Sequence, residues 1–135
     1  MARWLVKTEP GSWSWDDQVK SGAKGTEWTG VKNPQARAHL RAMKTGDPVL
    51  FYHTGDVKAV VGIAEVIAEA HPDSTDPEWT AVDIKAVEAL KRPVTLAEVK
   101  ADPELAGMIL ARAPRLSVQP VTDAEWKRII DLSKG

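Results

Sequence analysis

Three histidines, His39, His53 and His71, are the first candidates for acid–base or metal chemistry. They are scattered: no two stand at metal-ligand spacing, and no cysteine is present to complete a zinc set. Neither a metal nor a cofactor is expected. The chain has no GxxxxGKS/T loop, no GxGxxG after a strand and no GxSxG elbow, so phosphate-loop, dinucleotide and hydrolase chemistry lack their signatures. His53 has the pKa for a general acid or base and stands near Tyr52 and Asp56. A single histidine at a strand end, however, more often serves structure or ligand binding. The expectation is a protein that binds and does not catalyse.

The unusual composition lies in tryptophan: six of the eight aromatic residues are Trp, against one Tyr and one Phe. Trp4 and Trp79 fall on strand patterns and Trp126 on a helical stripe, where packing accounts for them. Trp28 differs, because it stands in a Gly-rich loop just ahead of Asn33-Pro34, where binding residues collect. A flat ring with a polar edge, such as a nucleobase, is well held by stacking on Trp together with a few fixed hydrogen bonds. Such stacking is worth about 1–3 kcal/mol per base. The groups able to read the edge are Asn33, Tyr52, His53, Thr54 and Ser117. The local sequence of Asn33 favours a plain helix N-cap, and Ser117 also fits an ordinary strand residue.

The elements that must position these groups read as one α+β unit over residues 1–135. Arg3 to Lys7 is a first strand ended by Glu9-Pro10-Gly11. Ser14 with Asp17 forms a capping box for a short helix to about Lys20, and Ser21 to Gly30 is a loop. Asn33-Pro34 opens a helix with Ala36, Leu40 and Met43 on its buried face, and Gly46 is placed to end it. Val49–His53, Val57–Ala68 and Trp79–Val87 read as an antiparallel meander, bent at Gly62 and suited to a barrel. Thr95 with Glu98, Asp102 with Pro103, and Thr122 with Glu125 mark two short helices and a C-terminal one. Leu116–Val121 is a strand returning to the sheet between them.

The net charge of −1 argues against a protein that coats nucleic acid by neutralising phosphates. The charge is nevertheless uneven: between Gln18 and Gly46 six basic residues face the single acid Glu27, giving +5 there and −6 elsewhere. That stretch is either a solvated face or a modest footprint for a phosphate-bearing partner. No apolar run approaches membrane-spanning length and no signal-peptide core follows Arg3 and Lys7, so a cytoplasmic protein without membrane contacts is expected.

Six segments in order then become familiar: Trp4–Pro10 (WLVKTEP), Trp28–Asn33 (WTGVKN) with Ala36-Arg37, Gly46-Asp47 with Phe51–Thr54 (FYHT), Val61–Val66 (VGIAEV), His71–Asp73 (HPD) and Arg115–Val121 (RLSVQPV). Through them the chain resembles, over essentially its full length, the EVE domain family of the PUA-like superfamily. The resemblance implies a curved mixed β-barrel flanked by short helices, related to YTH and ASCH barrels. It also implies a pocket that receives one flipped, often modified, base of DNA or RNA. Carried over by position, Trp28, Thr29, Gly30, Val31, Asn33, Tyr52, His53, Thr54, Leu116, Ser117, Val118, Gln119 and Pro120 fall at the family's pocket. Lys7, Glu9 and Pro10 fall near its rim, and Trp13, Lys32, Arg37 and Arg41 join them as rim or phosphate contacts. The sequence departs from the family at Lys32 (commonly Arg), Thr54 (Ser), Trp13 (Tyr) and Gln18 (Leu). Lysine loses the bidentate fork of arginine, so a contact at 32 should differ. A change at 13 could tune which base is preferred.

Three hypotheses follow: a monomeric reader of a modified base in DNA or RNA; the same pocket serving a small molecule or a protein side chain; and a nucleotide-directed enzyme using His53 as base. Loss of base preference in Trp28→Ala separates the first from the second. A pH–rate profile with an essential group near neutrality marks the third.

Overall fold

The computed structural model describes residues 2–135. Six strands, Arg3–Thr8 (β1), Thr26–Glu27 (β2), Pro48–His53 (β3), Ala59–Asp73 (β4), Asp76–Thr95 (β5) and Val118–Val121 (β6), form one sheet in the order β2-β5-β4-β3-β1-β6. Five helices flank it: Trp15–Lys20 (α1), Pro34–Ala42 (α2), Leu96–Ala101 (α3), Ile109–Arg112 (α4) and Asp123–Lys134 (α5). The β3-β4-β5 meander is antiparallel, as its hydrophobic runs predict. β1 pairs with β3 in parallel, with Lys7 opposite Tyr52, and with β6 antiparallel, so the sheet is mixed. Among the described residues no pairing joins β2 to β6, so the curved sheet is barrel-like without a closed ladder.

Strand alternation sorts the apolar residues into two clusters, one on each face. Trp4, Val6, Val49 and Phe51 pack on one side with Trp15, Trp28 and Leu40. Leu5, Leu50 and Tyr52 pack on the other with Val99, Leu105 and Ile129. Both faces of β1 and β3 are therefore covered, which fits their near-continuous apolar runs.

Local chemistry sets the helix boundaries. Ser14, Thr95 and Thr122 each head a reciprocal capping box, and the Asn33 side chain accepts from the Ala36 amide with Pro34 at the first helical position. Two expectations are corrected. α2 ends at Met43, in extended conformation, and Gly46 (φ 94°) instead turns the chain into β3 while its amide donates to the Val66 carbonyl. Asp102-Pro103 does not open a helix: Asp102 closes α3, its carboxylate accepts from the Glu104 amide, and the next helix begins at Ile109.

The central hairpin is longer than its hydrophobic runs suggest, with β4 reaching Asp73 and β5 spanning Asp76–Thr95. Repeated register shifts along the β4–β5 ladder carry it past prolines and charged residues and bend it. At Gly62 the bend has a partner: a Cβ there would stand 2.5 Å from the Trp15 ring, so only glycine lets that indole seat against β4. Trp15 in turn meets Phe51 edge-on, 5.1 Å between centroids, which docks α1 on the sheet. Among the described residues no helix is long and apolar enough to cross a membrane.

Candidate functional site

A cavity of about 630 Å³ opens where β1 ends, within the size range of ligand pockets. One wall is the end of β1 and the turn after it, with Lys7, Thr8, Glu9, Ser12 and Trp13. The other is β2 and the following loop, with Glu27, Trp28, Thr29, Gly30 and Val31. Ser117, just ahead of β6, closes one side, and its carbonyl accepts from the Lys7 amide at 2.9 Å.

Each wall is built by its own sequence. After Thr8 the Glu9 carbonyl accepts from the Ser12 and Trp13 amides and the Glu9 carboxylate from the Gly11 amide, a turn that Pro10-Gly11 favours. The Thr8 hydroxyl donates to the Trp13 carbonyl at 2.8 Å and fixes where Trp13 stands. The Trp13 indole N–H donates to Gln18 Oε1, and the Gln18 amide nitrogen donates to the Ile84 carbonyl and the Ser21 hydroxyl. Trp13 and Gln18, two of the departures from the family pattern, are thus one coupled unit. The fully buried Gln18 holds the indole at the cavity.

Trp28 is mostly buried, meets Phe51 edge-on at 5.6 Å, and its amide donates to the Val82 carbonyl. The loop that follows is pinned from across the fold by the buried Asp73, whose carboxylate accepts from the Gly30 amide and from Thr75 and Asp76. Burial pushes that carboxyl up, but hydrogen bonds from Thr75, Gly30 and Asp76 outweigh it and hold the pKa at about 2. Glu27 accepts from the amide and hydroxyl of Ser74. His71 bridges Asp83 at 2.9 Å and Glu27 at 3.6 Å. Its pKa is raised by bonding to the Pro72 carbonyl and to Asp83.

Lys7 is the one basic residue among those lining the cavity. It leaves β1 on the Tyr52 side, is 9% exposed, and donates to the Pro114 carbonyl at 2.8 Å, with its Nζ 5.7 Å from the Tyr52 ring centre. Among the described residues it has no ion-pair partner, and burial lowers its pKa. An ammonium bonded to one carbonyl retains two further donors.

The residues expected at the site separate. Trp28, Thr29, Gly30, Val31, Ser117, Lys7, Glu9 and Trp13 all border the cavity. Asn33 does not, because its side chain caps α2. Tyr52 is buried in the opposite cluster, where burial raises its pKa. His53 Nε2 accepts the Trp15 amide at 2.9 Å, so its proton sits on Nδ1; burial lowers its pKa against the opposing pull of Asp16 and Glu9. With that lone pair occupied by a backbone N–H, His53 ties the start of α1 to the end of β3 and does not border the cavity. Thr54 ties β3 to β1 through its amide and hydroxyl to the Thr8 carbonyl. Leu116 and Val118 are core residues, Gln119 donates to the Leu116 carbonyl, and Pro120 pairs with Trp4 in the sheet. Pro10 shapes the turn without bordering the cavity. Lys32, Arg37 and Arg41 also lie off it: Lys32 pairs with Asp76 at 2.9 Å, and Arg37 stacks on Trp79. Trp79, read from sequence as core, is instead a half-exposed platform for those cations.

Sequence reasoning missed Thr8, Ser12, Thr26 and Glu27. Glu27 carried a signal, being the one acid in the basic stretch. Asp73 and His71 carried another, standing in a quoted motif to which no role was given. Among the described residues no cluster of His, Asp or Glu is placed to hold a metal.

Together these features define a small α+β domain whose curved mixed sheet ends in a polar pocket walled by two indoles. The chain belongs to the EVE domain family, whose family model matches residues 2–132. Human thymocyte nuclear protein 1 is 32% identical over 167 residues, covering 98% of this chain and 74% of that protein. The NMR structure of a Rhodopseudomonas palustris protein superposes with a TM-score of 0.95 at 54% identity, covering 99% of this chain and 94% of that one. Human thymocyte nuclear protein 1, crystallised in complex with DNA containing 5-methylcytosine, superposes with a TM-score of 0.92 at 30% identity over 100% of this chain and 99% of that one.

Proposed function

We propose that the protein is a non-catalytic nucleic-acid-binding module that takes one flipped, modified base into the pocket at the end of β1. The observation that carries this reading is a cavity lined by two indoles, Trp13 and Trp28, and a buried lysine with no carboxylate partner among the described residues. A base fits such chemistry because it offers π faces to the indoles and both donors and acceptors at its edge. Lys7 donates, Glu9 and Glu27 accept, and Ser117 and Thr29 do either. The human relative solved with 5-methylcytosine DNA makes a methylated cytosine in DNA the first ligand to test. The occupied lone pair of His53 supports a role without turnover.

The test is a titration, followed by tryptophan fluorescence, against single- and double-stranded DNA and RNA carrying one modified cytosine, adenine or uracil beside unmodified controls. Methylcytosine DNA is expected to bind several-fold more tightly than its control, and Trp28→Ala to weaken that binding about tenfold or more. Equal affinity for modified and unmodified strands, or a preference that survives Trp28→Ala, removes this reading.

A further inference from the structure

A second groove, of about 250 Å³, lies beyond the pocket loop, bordered by Arg41, His71, Pro72, Glu78, Trp79 and Thr80. Trp79 stands in it half-buried, with the Arg37 guanidinium 4.7 Å and the Lys32 ammonium 5.7 Å from its ring centre. Arg3, Arg92 and Arg128 each meet a carboxylate. Among the described residues Arg112 and Arg115 do not, and neither do the two at this groove, Arg37 and Arg41. They stand one turn apart on α2, about 6 Å along its axis. Stacking on an indole restricts a guanidinium before any ligand arrives, which lowers the entropy lost when its fork closes on an anion.

We propose that Arg37 and Arg41, with Trp79 as the residue that positions Arg37, form a phosphate-binding site for the nucleic-acid backbone flanking the base held in the pocket. The site rests on the proposed function for its ligand and is distinct from the pocket, whose walls contain none of these three residues. One hairpin couples the two: Asp73 holds the pocket loop at Gly30, and three residues on Asp76 holds Lys32 beside Trp79. Arg37 and Arg41, one helical turn apart, can address neighbouring phosphates of one strand, which follow each other every 3.4 Å along B-DNA. Glu78 is the one acid among the groove's lining residues and pairs with neither arginine among the described residues, so both are available to a phosphate, and binding there should fall with salt.

The test measures affinity for a methylcytosine-containing duplex and its unmethylated twin by fluorescence anisotropy over a series of salt concentrations. Arg37→Gln/Arg41→Gln is expected to lower the slope of log K against log salt by about 1 to 2 and to weaken both duplexes together about tenfold, leaving their ratio unchanged. Trp79→Leu is expected to weaken binding when Arg37 is present and to add nothing when Arg37 is Gln, a coupling that simple packing of Trp79 would not produce. A control on α5, Lys127→Gln/Lys134→Gln, should leave the slope near the wild-type value. If the wild type prefers methylated DNA and the arginine variant keeps the full slope, or loses no more than the control, the phosphate site is wrong and the base pocket stands. If the folded wild type binds neither duplex, both readings fall.

Discussion

Lys7 is the one basic side chain lining the pocket, and it is buried. Its burial without a carboxylate costs the fold stability, because the unfolded chain binds its proton more tightly than the native one. Stability from this group therefore rises with pH as the solution climbs toward 10.5, the ordinary lysine value. Lys7→Met should abolish that rise and leave the melting temperature at neutral pH equal or higher. If the ammonium donates to a bound base, the same change should cost about 10- to 100-fold in affinity for the preferred strand, the worth of a charge-assisted hydrogen bond. Thermal melts and titrations on one sample check both, and a variant that binds as before places the donor elsewhere. Asp73 is the opposite case. Its carboxyl is held at about 2 against an ordinary 3.8, so its contribution is complete above about pH 4 and lost as pH falls through about 2. Asp73→Asn should flatten that acid limb and abolish hydrogen-exchange protection at the Gly30 amide.

At the scale of elements, the seat of α1 on β4 is the joint that sets the position of Trp13. Gly62→Ala would drive a Cβ into the Trp15 ring, and the displaced helix would carry Gln18 and its bonded indole with it. Overpacking of this kind costs about 1–3 kcal/mol. The expected result is a lower melting temperature together with a weakened base preference; a stable variant with unchanged binding would uncouple α1 from the pocket. The starts of α1, α2, α3 and α5 were legible in the sequence because each rests on a short local signature, as in Ser14/Asp17 and Thr122/Glu125; α4 was not, because Met108 ahead of it makes no side-chain cap. Half of the pocket was legible too, through Trp28 in its glycine-rich loop. What could not be read were partnerships across the chain. Nothing near His53 says that a backbone N–H from Trp15 fills its lone pair, and nothing near Trp79 that α2 lays an arginine over it; the capping role of Asn33, by contrast, was written in Asn33-Pro34 itself. Local patterns also stopped β4 and β5 short, since bulges let a strand continue through residues that a regular ladder rejects.

In the whole molecule the two apolar clusters divide labour, one lying under the pocket and the other under α3 and α5. Ile129→Ala, in the cluster away from Trp28, should cost about 2–5 kcal/mol in unfolding experiments and leave the ratio of affinities for methylated and unmethylated DNA unchanged. A shifted ratio would mean that the clusters communicate through the sheet. The place of β1 between β3 and β6 has another consequence, concerning the order in which the molecule is made. During synthesis β1 finds its parallel neighbour only when residues 48–53 have emerged and its antiparallel one only when residues 118–121 have. Pairings so distant in sequence fold slowly. Until Ser117 arrives beside Lys7 the pocket lacks one of its walls, so the site is completed only after the whole central hairpin has emerged.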